Sequence, residues 1–149
     1  MLKTIKITPL ITYDFALELT RNNMQFYYKK HKIEWENACY AQNWQKSENL
    51  GIYQEQRCVG VIRLEQDAHA CYLADLQLLP EVQGQGIGSH ALDYIRQLAQ
   101  VRQKQLMSLV VFLDNPAINL YRRNGFEIMQ RNEILARMEC NLTLNTQKI

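Results

Sequence analysis

The stretch Gln83-Gly84-Gln85-Gly86-Ile87-Gly88 holds three of the chain's six glycines, at alternate positions. Glycine takes up positive φ freely and lets a backbone approach a ligand with no Cβ in the way. Placed at the start of a helix, such a loop aims its N–H groups and the positive end of the helix dipole at one point, which is the chemistry of an anion cradle. Three unconstrained residues cost roughly 0.5–1 kcal/mol each against alanine, so a plain turn with no ligand is the weaker reading. Two phosphate-binding classes are disfavoured. A Walker loop needs a lysine after its last glycine, and Gly88 is followed directly by Ser89. A nicotinamide-binding fold needs its third glycine one position later, in a loop that opens a βαβ unit.

Other reactive residue types are scattered. Cys39, Cys58, Cys71 and Cys140 show no close pairing, so neither a zinc site nor a redox pair is indicated. Lying in apolar stretches, they read as small core residues with reduced thiols. His31 and His90 read as surface residues without a metal partner.

The elements that must position the loop follow from periodicity and punctuation. Leu2, Ile5 and Ile7 suggest a first strand stopped by Pro9. From Thr12 a helix follows, with Tyr13, Ala16, Leu17, Thr20, Met24 and Tyr27 on one face, and a second runs from Trp35 to Trp44. Their aromatic residues (Phe15, Phe26, Tyr27, Tyr28, Trp35, Tyr40, Trp44) suit a core or a pocket wall, and core is favoured. Residues 49–54, 58–66 and 70–79 read as strands joined by hairpin-length links, with Pro80 closing the third. An amphipathic helix spans Gly86 to Arg102, with Ile87, Ala91, Ile95, Leu98 and Ala99 inward. Leu106 to Leu113 is a buried strand. Asn115-Pro116 opens a short helix that Asn124-Gly125 ends. Two strands close the chain, at 126–130 and 133–144, the second alternating Ile134, Ala136, Met138, Cys140, Leu142 and Leu144. The fold class is α/β, a mixed and mostly antiparallel central sheet with about four helices. Its order is β-α-α-β-β-β-α-β-α-β-β, with one parallel crossover through the long helix.

The 149 residues carry no linker, repeat or low-complexity tract, so residues 1–149 form one domain. Net charge is +2 and evenly spread, which argues against a nucleic-acid footprint or a polybasic membrane patch. Lys29, Lys30 and Lys32 read as a solvated helix end. No apolar run approaches the ~18 residues of a membrane helix. The N-terminus, Met1 to Lys6, lacks an apolar signal core, so a cytoplasmic location is expected.

The string Leu76-Gln77-Leu78-Leu79-Pro80-Glu81-Val82-Gln83-Gly84-Gln85-Gly86-Ile87-Gly88 closely resembles motif A of the GNAT superfamily of N-acetyltransferases, L-x-V-x-P-x-x-[RQ]-G-x-G-[IL]-[GA]. Asn115-Pro116-Ala117-Ile118-Asn119-Leu120-Tyr121-Arg122-Arg123-Asn124-Gly125-Phe126 resembles its motif B, N-P-A-x-x-L-Y-x-x-x-G-F. The two lie in the order and at the separation that an intervening helix and strand require. The resemblance implies acetyl-CoA as acetyl donor and no metal. The pyrophosphate falls on the backbone of Gln83, Gly84, Gln85, Gly86, Ile87 and Gly88, with Ser89 at the helix start. Pantetheine pairs with the splayed strand carrying Leu76 and Leu78, in the manner of an added strand. Asn115 takes the position that contacts the pantetheine arm, a helix cap, or both.

The resemblance also places Tyr121 as general acid. A phenol near pKa ~10 holds its proton at neutral pH and can deliver it to a departing thiolate, whose reference value is ~8.5. Packing of the ring alone is the competing reading. The Leu78 N–H would polarise the thioester carbonyl. For the base, Asp75 sits where several members of the superfamily keep an acid, and strand alternation sends it to the same face as Gln77. Glu34 and Glu36 are the alternatives, as a base or as ligands for a cationic acceptor.

The implied function is an acetyl-CoA-dependent N-acetyltransferase acting on a primary amine by direct attack. The alternative is a non-catalytic acyl-CoA-binding or partner-binding module on the same fold. The partner is an amine acceptor, small molecule or protein, and a homodimer through the final strands is conceivable on an apolar edge.

Overall fold

A computed structural model describes residues 3–143. The elements are β1 (Ile5–Thr8), α1 (Tyr13–Lys30), α2 (Asn37–Lys46), β2 (Glu48–Gln54), β3 (Arg57–Gln66), β4 (Ala70–Leu78), α3 (Ile87–Val101), β5 (Leu106–Phe112), α4 (Ala117–Arg123), β6 (Glu127–Arg131) and β7 (Leu135–Asn141). This is the expected order and class. A single turn of tighter helix at Pro80–Val82 leads into the glycine loop.

The strands form one seven-stranded sheet in the order β1-β2-β3-β4-β5-β7-β6. Every neighbouring pair is antiparallel except β4 and β5. Helices cover both faces. Ala16 and Leu19 of α1, Tyr40 of α2 and Val61 of β3 form one apolar cluster. The larger cluster joins Ile87, Ala91, Leu92, Ile95 and Ala99 of α3 to Ile62, Leu64, Leu73, Leu109 and Met138 of the sheet. Val61 and Ile62 are neighbours in one strand, so they face opposite sides and mark the two layers.

Helix ends follow their sequence signals. Asp14 lies in the first turn of α1, and Lys29 and Lys30 in its last, each complementing the helix dipole. The Asn115 carboxamide accepts the Ala117 N–H at 3.0 Å and so caps α4. At the other end Gly125 has φ +92°, Phe126 N–H reaches Tyr121 O and Gly125 N–H reaches Arg122 O, which is a Schellman closure. The accompanying apolar contact is Phe126 edge-on to Tyr121, with ring centroids 5.8 Å apart.

Several local expectations shift. The buried stripe of α1 runs through Ala16, Leu19 and Thr20, so Leu19 takes the place expected of Leu17. In α3, Leu92 is buried while Leu98 is only partly so. Helix α2 starts two residues later than Trp35, and Phe26 is exposed rather than in the core. His31 is half-buried rather than freely exposed: it stacks on Phe112 with centroids 5.2 Å apart, and its Nε2 meets Asp114 at 3.1 Å. Cys71 and Cys140 are buried as expected, but Cys39 is exposed. Leu2 and Leu144 lie outside the described residues. No helix among the described residues is long and apolar enough to cross a membrane.

Candidate active site

The site begins where a ladder stops. Strands β4 and β5 pair in parallel from Ala70 with Leu106 to Leu73 with Leu109, and no further. Beyond that point β4 stays with β3 as far as Leu78, and β5 stays with β7 as far as Phe112. The sheet therefore opens into a wedge. A bulge assists: Arg63 partners Asp75 while Leu64 partners Leu73, which leaves Ala74 as the extra residue. The inserted residue changes the parity of the strand. Leu73 shares the α3 face with Leu76 and Leu78, and Asp75 and Gln77 turn together toward α1 and α2, where their side chains meet at 3.3 Å.

The open edge of β4 carries usable backbone groups. Leu79 N–H donates to Val59 O at 2.9 Å. Antiparallel alternation then turns the N–H and C=O of Leu76 and Leu78 away from β3 and into the wedge. Asn23 of α1 and Gln83 hold the Leu78 carbonyl, donating to it at 2.9 and 3.1 Å. Asn23 also donates to the Gln77 side chain at 3.2 Å.

At the wide end lies the glycine loop. Gly84 has φ +78° and Gly86 φ +85°, and a Cβ on either would meet nothing within 4 Å. Their glycine identity thus serves backbone shape. Gly88 differs. Its φ is ordinary, it is buried in the first turn of α3, and a Cβ there would come within 2.8 Å of Leu120 Cδ2. Gly88 therefore serves helix packing rather than loop conformation, which corrects the expectation that all three glycines free the loop. The N–H groups of residues 84–89 have no protein acceptor among the described residues, the first intrahelical bond being His90 N–H to Gly86 O. A row of unpaired donors at a helix start fits a diphosphate.

A single cavity of about 1170 Å³ joins this cradle to the wedge and to the space beneath α1 and α2. Of the residues expected in the site, Leu76, Leu78, Gln83, Gly84, Gly86, Gly88, Ser89, Asn115, Tyr121 and Asp75 line it. Gln85 and Ile87 do not. Gln85 turns outward to Gln54 and Glu81, and Ile87 is buried in the α3 core.

Tyr121 projects from α4 and is 7% exposed. Its hydroxyl has no hydrogen-bond partner among the described residues, yet none of their side-chain polar atoms is both sealed and unpaired. The hydroxyl therefore opens onto the cavity. Burial, with the Asp75 charge adding, pushes its pKa well above that of an ordinary phenol.

Asp75 lies on the opposite wall. Arg63 Nε donates to its Oδ2 at 2.8 Å and Gln77 Nε2 to its Oδ1 at 3.3 Å. Burial raises the carboxyl pKa, and the pull of Arg63 and Gln77 does not overcome it. Arg63 in turn donates to Ser47 Oγ at 3.1 Å and lies 4.9 Å from the Tyr40 ring centroid. Arg63, buried at 5% exposure, was missed by motif reasoning. Its signal was a lone charge inside the apolar run Val59–Leu64. Asn23 left no comparable trace.

Beneath α1 and α2 the wall is aromatic. Tyr28 and Trp35 meet edge-to-face at 5.2 Å, and Trp35 and Tyr40 lie tilted at 32° with centroids 5.8 Å apart. Tyr27, Tyr28, Trp35 and Tyr40 all line the cavity, so these rings form pocket as much as core. Glu34 and Glu36 stand exposed at its rim, and Glu36 accepts the Cys39 thiol at 3.2 Å. That contact raises the Cys39 pKa, the reverse of what a nucleophilic thiol needs. His90 is exposed. Among the described residues no cluster of three or more His, Cys, Asp or Glu side chains could hold a metal ion.

Comparison with known proteins gives the family and the fold. The acetyltransferase (GNAT) family profile matches residues 16–126. A crystal structure of the PaiA N-acetyltransferase from Thermoplasma acidophilum in complex with coenzyme A is 20% identical over 93% of this chain and 99% of that one, with a TM-score of 0.73. A GNAT family acetyltransferase from Elizabethkingia anophelis with acetyl-CoA bound is 14% identical over 93% and 97%, with a TM-score of 0.71. At these identities the two structures speak for the fold. Curated protein sequences give no match.

Proposed function

Because this chain belongs to the acetyltransferase (GNAT) family, we propose that it transfers the acetyl group of acetyl-CoA to the nitrogen of a primary amine by direct attack. The observation that carries this reading is the cavity that joins unpaired loop amides at one end to the open hydroxyl of Tyr121 at the other.

The amides of residues 84–89 and the Ser89 hydroxyl hold the diphosphate, aided by the dipole of α3. The β4 edge at Leu76 and Leu78 pairs with the amide groups of the pantetheine arm, and Asn115 and Ala117 border the opposite side. The Leu78 N–H faces the wedge and polarises the thioester carbonyl. Asn23 and Gln83 fix that stretch by gripping the Leu78 carbonyl.

A primary amine has a pKa of about 10.4, so it must give up a proton before it attacks. Asp75 is the acceptor: Oδ2 is committed to Arg63, while Oδ1 has only the longer Gln77 contact and remains able to take a proton through water. The neutral nitrogen forms a bond to the carbonyl carbon, and the carbon–sulfur bond breaks. Tyr121 gives its proton to the departing thiolate. The proton shed by the acetylated nitrogen restores the phenol, and Asp75 releases the proton it took to bulk water, so the enzyme ends unchanged.

Mixing the protein with acetyl-CoA and a panel of amines, and reading free thiol, tests the reading. Thiol release that requires an amine supports transfer. Saturable CoA binding with no release for any acceptor identifies a binding module instead.

A further inference from the structure

The two ends of the cavity differ in charge. The donor end offers unpaired amides and Arg123, which has no ion-pair partner among the described residues. The acceptor end offers Glu34 and Glu36 at the rim, neither of them paired to a cation among the described residues. Arg63, the cation that lines the cavity beside Asp75, is paired with that carboxylate. Between the rim and the reaction centre stands the corner of Tyr28, Trp35 and Tyr40. Arg63 occupies one face of Tyr40, which leaves Trp35 and Tyr28 to meet a ligand. Acidic groups alone would say little. They share their cavity with the hydroxyl of Tyr121, a side chain more than nine-tenths buried and aimed into it without a partner among the described residues.

Carboxylates and aromatic faces both select positive charge. The nitrogen that attacks a thioester, however, must be neutral at that moment. A charge-selecting wall can therefore hold its ligand through the reaction only by a different group. We propose that the acceptor carries a second cationic centre beyond the nitrogen that is acetylated, as an aliphatic diamine or polyamine does. The carboxylates of Glu34 and Glu36 and the rings of Trp35 and Tyr28 receive the distal ammonium, and the methylene chain lies along the aromatic wall toward Tyr121. This rests on the acetyl-transfer reading above and gives it a substrate class.

The experiment compares diaminobutane, butylamine and aminobutanol as acceptors at one pH, with free thiol as readout and each acceptor titrated. One desolvated cation–aromatic contact with a nearby carboxylate amounts to about a tenfold preference. The diamine is expected to exceed both monoamines in kcat/KM by at least that factor, chiefly through KM, and the advantage should shrink as salt rises. In the Glu34→Gln/Glu36→Gln variant the preference should fall toward unity, with the thermal midpoint reporting that the fold is intact. Equal kcat/KM for the three acceptors, or a preference that survives in the variant, overturns the diamine assignment and leaves acetyl transfer standing. Acetylation confined to peptide N-termini likewise overturns it. No thiol release with any amine, despite CoA binding, overturns both readings.

Discussion

Gly88 of α3 and Leu120 of α4 touch so closely that a Cβ on the glycine would come within 2.8 Å of Leu120 Cδ2. The contact links the helix that opens at the glycine loop to the helix that carries Tyr121. Asn124, which caps the end of α4, reinforces it by donating to Ser89 Oγ at 3.2 Å. The glycine loop and Tyr121 therefore belong to one packed unit.

Substitutions at the glycines should separate backbone shape from packing. Gly86→Ala meets empty space but must hold φ +85°, a strain of roughly 1–2 kcal/mol that falls on the cradle. Its expected signature is weakened CoA binding. Gly88→Val places bulk against Leu120 and should lower unfolding free energy by about 1–3 kcal/mol. Chemical denaturation together with CoA titration of both variants checks the division.

Tyr121→Phe keeps the edge contact with Phe126 and removes only the hydroxyl. Turnover should fall by about 10²–10⁴, with CoA affinity and unfolding midpoint nearly unchanged. Parallel loss of affinity and turnover would mean that the ring, not the proton, matters.

The pH profile has a direction. Burial holds the Tyr121 phenol above its ordinary value of 10.0, so the acid stays protonated throughout the neutral and mildly alkaline range. Activity should rise with pH as the acceptor loses its proton, with no descending limb from Tyr121 below pH 10. Initial rates across pH 6–10 at saturating acetyl-CoA would show a limb if one existed.

Much of this was legible in the sequence, and the exceptions share a cause. Strand periods, the Pro80 stop, the Asn115 cap and the Gly125 closure are local signals and appear where expected. The Ala74 bulge has no local signal, because an extra residue in an apolar strand looks like any other. Yet it sets which face Asp75 and Leu76 occupy. His31 reads in the sequence as a surface residue, and it is Phe112 of β5 and Asp114 of the following turn that half-cover it. Gly88 resembled its neighbours in the loop until α4 packed on it. Each of these depends on a contact distant in sequence.

Removing Asp75 should cost more than activity. Asp75→Asn leaves the Arg63 guanidinium buried without its anion, and breaking such a pair costs about 3–5 kcal/mol. Exchanging both residues for apolar ones should recover most of that loss. A double-mutant cycle by denaturation measures the coupling. Activity per folded molecule in Asp75→Asn then reports on the base, and wild-type turnover there would remove Asp75 from that role.

Alkaline stability carries a second sign. Burial pushes the Tyr40 pKa from 10.0 up to about 12. A proton held more tightly in the folded chain contributes stability in full below pH 10, and this is lost as pH climbs toward 12. The unfolding midpoint should decline across that window, and Tyr40→Phe should flatten part of the decline. A midpoint unchanged up to pH 12 would contradict the burial of this phenol.

Calorimetric titration of the protein with CoA and, separately, with pantetheine, which lacks the diphosphate, asks directly whether the amides of residues 84–89 grip that group. One saturable site for CoA, and far weaker binding of pantetheine, is the predicted result. No heat with CoA, or equal affinity for the two, would contradict it.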